Sequence, residues 1–129
     1  PELELGFYEG GVYRSLETGA LLPVVHGLQG GTWTMPAVRT RGLGTYAELI
    51  CRLVTASGEQ VGYVGAKTKF YFNGAGHLEV ANFPIPVFHP DRPQDTITDL
   101  YDMEATLTCT LENGEDAATF EVALVISEG

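Results

Sequence analysis

Between residues 103 and 111, five apolar side chains fall on every second position. Met103, Ala105, Leu107, Cys109 and Leu111 alternate with Glu104, Thr106, Thr108 and Thr110. A period of two marks an extended strand with one dry and one wet face. A helix would scatter the same residues around its circumference. Residues 46–55 repeat the pattern, with Ala47, Leu49, Cys51 and Leu53 on one side. So do residues 119–126, with Phe120, Val122, Leu124 and Ile126. No useful window carries a helical period.

Shorter extended segments fill the rest. Leu3, Leu5 and Phe7 alternate with Glu2, Glu4 and Gly6. Residues 12–15, 21–25, 61–72 and 77–82 read as further strands, separated by turns such as Asn73-Gly74, and in 61–72 Val64, Ala66, Phe70 and Phe72 share one face against Tyr63, Lys67, Lys69 and Tyr71. Pro36 interrupts a strand over 32–41 and implies an edge or a bulge. Pro84, Pro86 and Pro90 make residues 83–88 an extended edge or a crossover. At most one helical turn fits within 91–102. The expected fold is one all-β domain over 1–129, an antiparallel, immunoglobulin-like β-sandwich of eight to ten strands.

Charge narrows the partners. Seventeen acids oppose seven bases, for a net charge of −10, and ten of those acids lie at or beyond Asp91. Such a surface repels nucleic acid and anionic membranes. No apolar run reaches the roughly 18 residues a membrane span requires. No basic segment leads into an apolar one, so Pro1 is not expected to open a signal peptide.

Few residues invite chemistry. Cys51 and Cys109 both fall on inward faces. They read either as a disulfide between facing sheets or as two buried thiols. A true immunoglobulin domain places a Trp between its cysteines and a Tyr two before the second. Here Trp33 precedes both and Leu107 takes the Tyr position. His26, His77 and His89 lack metal-ligand spacing. Asp91, Asp95, Asp99 and Asp102 are calcium candidates, but without the alternating Asp/Asn–Gly pattern they read first as a solvated acidic loop. No nucleophile, base and orienting group come together in sequence, so no catalytic residue, enzyme activity or cofactor is expected.

Residues 22–44 concentrate the unusual side chains: the only Trp, one His, one Met and two Arg. From this stretch His26, Gln29, Gly30, Gly31, Trp33, Arg39 and Arg41 are taken as candidate binding residues. Trp33 shares its alternation with Met35 and Ala37, which favours a core position. The string Tyr13-Arg14-Ser15-Leu16-Glu17-Thr18-Gly19, then Leu22-Pro23-Val24-Val25-His26-Gly27-Leu28-Gln29-Gly30-Gly31-Thr32-Trp33 and Val38-Arg39-Thr40-Arg41-Gly42-Leu43, resembles small secreted proteins and lipoproteins of predatory and related Gram-negative bacteria. The resemblance covers about the first third of the chain, with weaker similarity in the Cys-bearing strands. It implies export, a lipid anchor on some precursors, a β-sandwich, and no particular activity.

Two functional expectations follow. The first is a non-enzymatic extracellular, cell-surface or periplasmic subunit. It would bind a protein partner or self-assemble through sheet edges, with residues 3–7 and 83–88 as edge candidates. The second is a carbohydrate-binding module using Trp33, Tyr46, Tyr63 and Tyr71, with calcium near 91–102. An oxidising compartment suits either if the cysteines are joined.

Overall fold

The computed structural model describes residues 1–27, 30–74, 76–89 and 97–129. Among these residues lie twelve strands. They are β1 (Glu2–Glu9), β2 (Val12–Ser15), β3 (Ala20–His26), β4 (Thr32–Thr34), β5 (Ala37–Arg41) and β6 (Tyr46–Thr55). They continue with β7 (Gln60–Lys69), β8 (Tyr71–Phe72), β9 (Leu78–Val80), β10 (Ile85–Pro86), β11 (Glu104–Asn113) and β12 (Asp116–Glu128). One 3₁₀ turn, Ile97–Leu100, precedes β11.

The strands form two sheets. One runs β2-β1-β5-β9-β8 and the other β10-β4-β3-β12-β11-β6-β7. The three most regular strands in sequence build the centre of the larger sheet. β11 pairs antiparallel with β12 on one side and with β6 on the other. The inward residues Leu49, Cys51, Leu53, Leu107, Cys109, Leu111, Leu124 and Ile126 are buried. Opposite them Leu3, Leu5 and Val38 of the smaller sheet, with Leu16 just after β2, complete one core. Removing such apolar surface from water is the main stabilising term.

The all-β sandwich is as expected, with three differences of detail. Two-residue strands β8 and β10 raise the strand count. β3 and β12 pair in parallel, so the larger sheet is mixed. The cysteines are joined, but within one sheet rather than between two: Cys51 stands opposite Cys109 in the β6–β11 ladder.

Two sequence segments expected as single strands change sheets midway. Thr34 ends β4 in the larger sheet, and Ala37 begins β5 in the smaller one. Pro36 sits at that corner, where its missing N–H leaves no ladder bond unmade, while its carbonyl accepts from Phe83 N–H at 2.8 Å. Phe70 is the second corner, between β7 and β8. Because the chain turns there, Phe72 is 82% exposed rather than inward with Phe70.

Residues 83–88 are not an edge. Ile85 and Pro86 pair with Thr34 and Trp33 of β4. Val87 bridges Gly62 of β7, and Phe88 N–H donates to the Val61 carbonyl at 2.8 Å. The proline-rich segment therefore carries the larger sheet round from β4 to β7. Ladder donors come from Val87 on one side and Phe88 on the other, so Pro86 costs nothing at its position.

Candidate functional site

The candidate binding residues of the 22–44 stretch separate in space. His26 ends β3, exposed, opposite Thr32. Gly30 and Gly31 adopt positive φ of 88° and 83° in a tight turn, where Gly27 N–H donates to the Gly31 carbonyl at 3.0 Å. Gln29 lies outside the described residues. Arg39 and Arg41 belong to the outer face of the other sheet.

Trp33 lies on the outward face, half-buried and not in the core. Thr34, its neighbour, is the inward residue of β4 and is fully buried. The glycine turn folds down onto the indole: a Cβ on Gly27 would lie 2.8 Å from Trp33 Nε1, and one on Gly31 3.4 Å from its six-membered ring. The expected alternation with Met35 and Ala37 fails because the chain changes sheets at Pro36. With Gly31, Thr32, Pro86 and Phe88, Trp33 lines a cleft of about 230 Å³.

Arg39 is a clasp. It stands between Glu4 of β1 and Glu79 of β9 in the ladder of the smaller sheet. Its Nε donates to Glu79 Oε1 at 2.6 Å, and the Tyr8 hydroxyl donates to the same carboxylate at 2.6 Å. The guanidinium lies over the Tyr13 ring, 3.7 Å from its centroid. Burial alone would push the Glu79 carboxyl up, but the bonds from Tyr8 and Arg39 outweigh it and hold that group below the usual carboxylate range. Burial likewise opposes the Arg39 charge and is outweighed by Tyr8 and Glu79, so Arg39 is held more firmly protonated. Burial, helped by the neighbouring Glu4 carboxylate, pushes the Tyr13 phenol up. Arg41 donates to the Gly76 carbonyl at 3.1 Å. Both arginines tie strands together.

Asp91 and Asp95 lie outside the described residues. Asp99 sits in the 3₁₀ turn, and Asp102 follows it at φ 68° with its N–H on the Ile126 carbonyl at 2.7 Å. Among the described residues no three His, Cys, Asp or Glu side chains converge on a metal-sized site.

A feature the sequence did not disclose lies between β1 and β12. β2 pairs only with Gly6 to Glu9 of β1, and the Leu5 carbonyl accepts from Leu16 N–H at 2.9 Å. By alternation the N–H and C=O of Leu3 turn to the same side, where no ladder partner lies among the described residues. β3 reaches β12 only from Leu124 onward, with Gly19 N–H on the Ala123 carbonyl at 2.8 Å. Ala117, Thr119 and Glu121 therefore turn their backbone groups to an open side as well. Pro1, Leu3, Glu4, His77, Ala118 and Thr119 line the cleft of about 470 Å³ between the two half-paired strands. The edge expected over residues 3–7 is thus confined to the start of β1. Leu3 and Leu5 are also core residues, so removing 1–7 would strip the core along with the edge.

These features define a disulfide-bonded all-β sandwich with two unpaired strand halves facing one cleft. No protein-family profile matches the chain, and no curated protein matches it in sequence. Among solved structures it is similar to the CooA pilin subunit from enterotoxigenic Escherichia coli, at 9% identity and a TM-score of 0.47, over 100% of this chain and 99% of that one.

Proposed function

We propose that this chain is a non-enzymatic structural subunit that works outside the cytosol and assembles with other subunits by accepting an extended strand. The observation that carries this reading is the cleft between β1 and β12. Two half-strands from different sheets turn unpaired backbone donors and acceptors towards it, and an open strand edge is a template for pairing with another chain. An added strand pairs with one of these open edges, which is the logic of β-augmentation. The Cys51–Cys109 bond supports an oxidising compartment. Repetition of a contact between unlike surfaces builds filaments, and a surface filament is the assembly this reading favours.

Thr119→Pro tests it. The Thr119 N–H faces the cleft, so proline there removes a donor from an incoming strand without breaking the β11–β12 ladder. Light scattering and negative-stain imaging of the purified wild type should show regular polymers. The variant should remain monomeric with nearly the same melting temperature. A wild-type protein that stays at 13.9 kDa at all concentrations, or a variant that polymerises normally, overturns the proposal.

A further inference from the structure

The outward face of the larger sheet carries a row of side chains that its packing and assembly leave unused. Pro86 stands beside Trp33 in the β10–β4 pair. The bridge between Val87 and Gly62 then sets Pro86 beside Tyr63 of β7, and Tyr63 stands opposite Arg52 of β6. Ile85 and Val87, the neighbours of Pro86, are buried, so Trp33, Pro86, Tyr63 and Arg52 all point outward. Trp33 and Tyr63 lie two strand spacings apart, roughly 10 Å. That distance is twice the step between linked pyranose rings, so the two aromatic groups face alternate sugars of a chain and Pro86 supplies a flat apolar floor under the sugar between them.

Tyr63 is oriented for stacking. Gly65, two residues on, has no side chain, and a Cβ built there would lie 3.4 Å from the Tyr63 hydroxyl. The ring therefore leans along the strand over bare backbone, and the residue remains 44% exposed. Arg52 holds its guanidinium 5.0 Å from the ring centroid and is itself steadied by Gln60 Oε1 at 3.3 Å. The guanidinium lies over the ring, so a sugar that stacks on Tyr63 moves it aside, towards a carboxylate borne by that sugar.

Charge points the same way. The protein is at −10, yet the outward side of β6 and β7 bears Arg52, Lys67 and Lys69 against the single carboxylate of Glu48. The cations are confined to these two strands, because β11 and β12 add Glu104, Glu112 and Glu121 to the same face further from Tyr63. The local strip of Arg52, Lys67 and Lys69 therefore favours an anionic group placed at Tyr63 over a cationic one.

We propose that the row Trp33–Pro86–Tyr63–Arg52 is a binding platform for an acidic, uronate-bearing polysaccharide. Stacking on Trp33 and Tyr63 supplies affinity, and Arg52 supplies the preference for acid. The platform lies on a different face from the β1–β12 cleft and stands whether or not the chain polymerises.

Native gel electrophoresis of the full chain tests it, with polygalacturonate in one gel and neutral dextran in another. Polygalacturonate should retard the protein and dextran should not. Tyr63→Ala should weaken retardation about tenfold, as should Arg52→Gln, while Tyr63→Phe retains it. Circular dichroism melting should be unchanged in each variant, and Thr119→Pro should bind like wild type. No retardation in either gel overturns the proposal. Equal retardation by dextran overturns the acidic specificity. Retardation that survives Tyr63→Ala but vanishes on mutating Lys67 and Lys69 to Gln overturns the stacking site in favour of general charge attraction. Retardation of self-assembled material alone, lost in Thr119→Pro, would assign binding to a surface between copies and overturn the platform.

Discussion

Cys51 and Cys109 face each other directly across neighbouring strands, their Cα atoms 4.1 Å apart in the β6–β11 ladder. That separation belongs to the close pairs of an antiparallel ladder. The bond therefore staples two strands that already share a register, and leaves the joining of the layers to apolar packing. Its two ends are 58 residues apart, so in the chain-entropy model it restricts the unfolded chain by about 4 kcal/mol. The double variant Cys51→Ala/Cys109→Ala should keep the fold and lose roughly 10–20 °C of melting temperature. Thermal melts of the variant beside the oxidised protein check this, and a loss of only a degree or two would show the ladder alone sufficient.

The Arg39–Glu79 clasp should appear in the acid limb of stability. Glu79 is held below its ordinary range in the folded state. A depressed carboxyl contributes stability that is present above its unfolded value and lost as pH falls through its folded one. Stability should decline below about pH 4, and Glu79→Gln should flatten that decline. At neutral pH the substitution leaves the half-buried Arg39 without its carboxylate and should cost about 1–2 kcal/mol. Urea denaturation at neutral pH and near pH 3 measures both, and equal losses at the two pH values would refute the assignment.

The strands with unbroken alternation were legible because each keeps one face in the core throughout. Residues 46–55, 103–111 and 119–126 fold with the expected inward faces, Met103 excepted, which lies just before β11 and is partly exposed. Alternation fails where a strand leaves its sheet, since the face count restarts at the corner. Trp33 and Phe72 were misplaced for that reason, on either side of Pro36 and Phe70. The prolines of 83–88 signalled an edge or a crossover because proline lacks a donor. They could not signal that Val87 and Phe88 would supply the ladder bonds on alternate sides. The β1–β12 cleft was hidden altogether, because it depends on where β2 and β3 stop pairing with their neighbours, and no local pattern records that.

Gly62 should prove to be the closure of the larger sheet. A Cβ there would lie 2.9 Å from the Pro86 carbonyl oxygen and 3.0 Å from Leu53 Cβ, and neither atom is the flexible end of a side chain. Gly62→Val should force β10 off β7 and expose Val61 and Val87, both now buried. A loss of about 2–3 kcal/mol is expected, together with faster amide exchange at Phe88, whose N–H bonds across this seam. If Phe88 exchange is unchanged, the seam does not depend on the glycine.

Thr34 and Thr40 offer the opposite sign. Both are buried, at 0% and 1% exposure, and neither hydroxyl has a hydrogen-bond partner among the described residues. A buried hydroxyl without a partner has lost its water and gained nothing in return. Valine matches the branched shape at Cβ and lacks that penalty, so Thr34→Val and Thr40→Val should each stabilise by about 1 kcal/mol. The first lies on β4 of the larger sheet and the second on β5 of the smaller, with no shared ladder, so the gains should add. The double variant should raise the urea midpoint at unchanged slope, the signature of altered stability without altered compactness. Destabilisation by either change would mean that its hydroxyl is bonded after all, to a water held in the core, and would make that threonine a fixed polar point between the sheets.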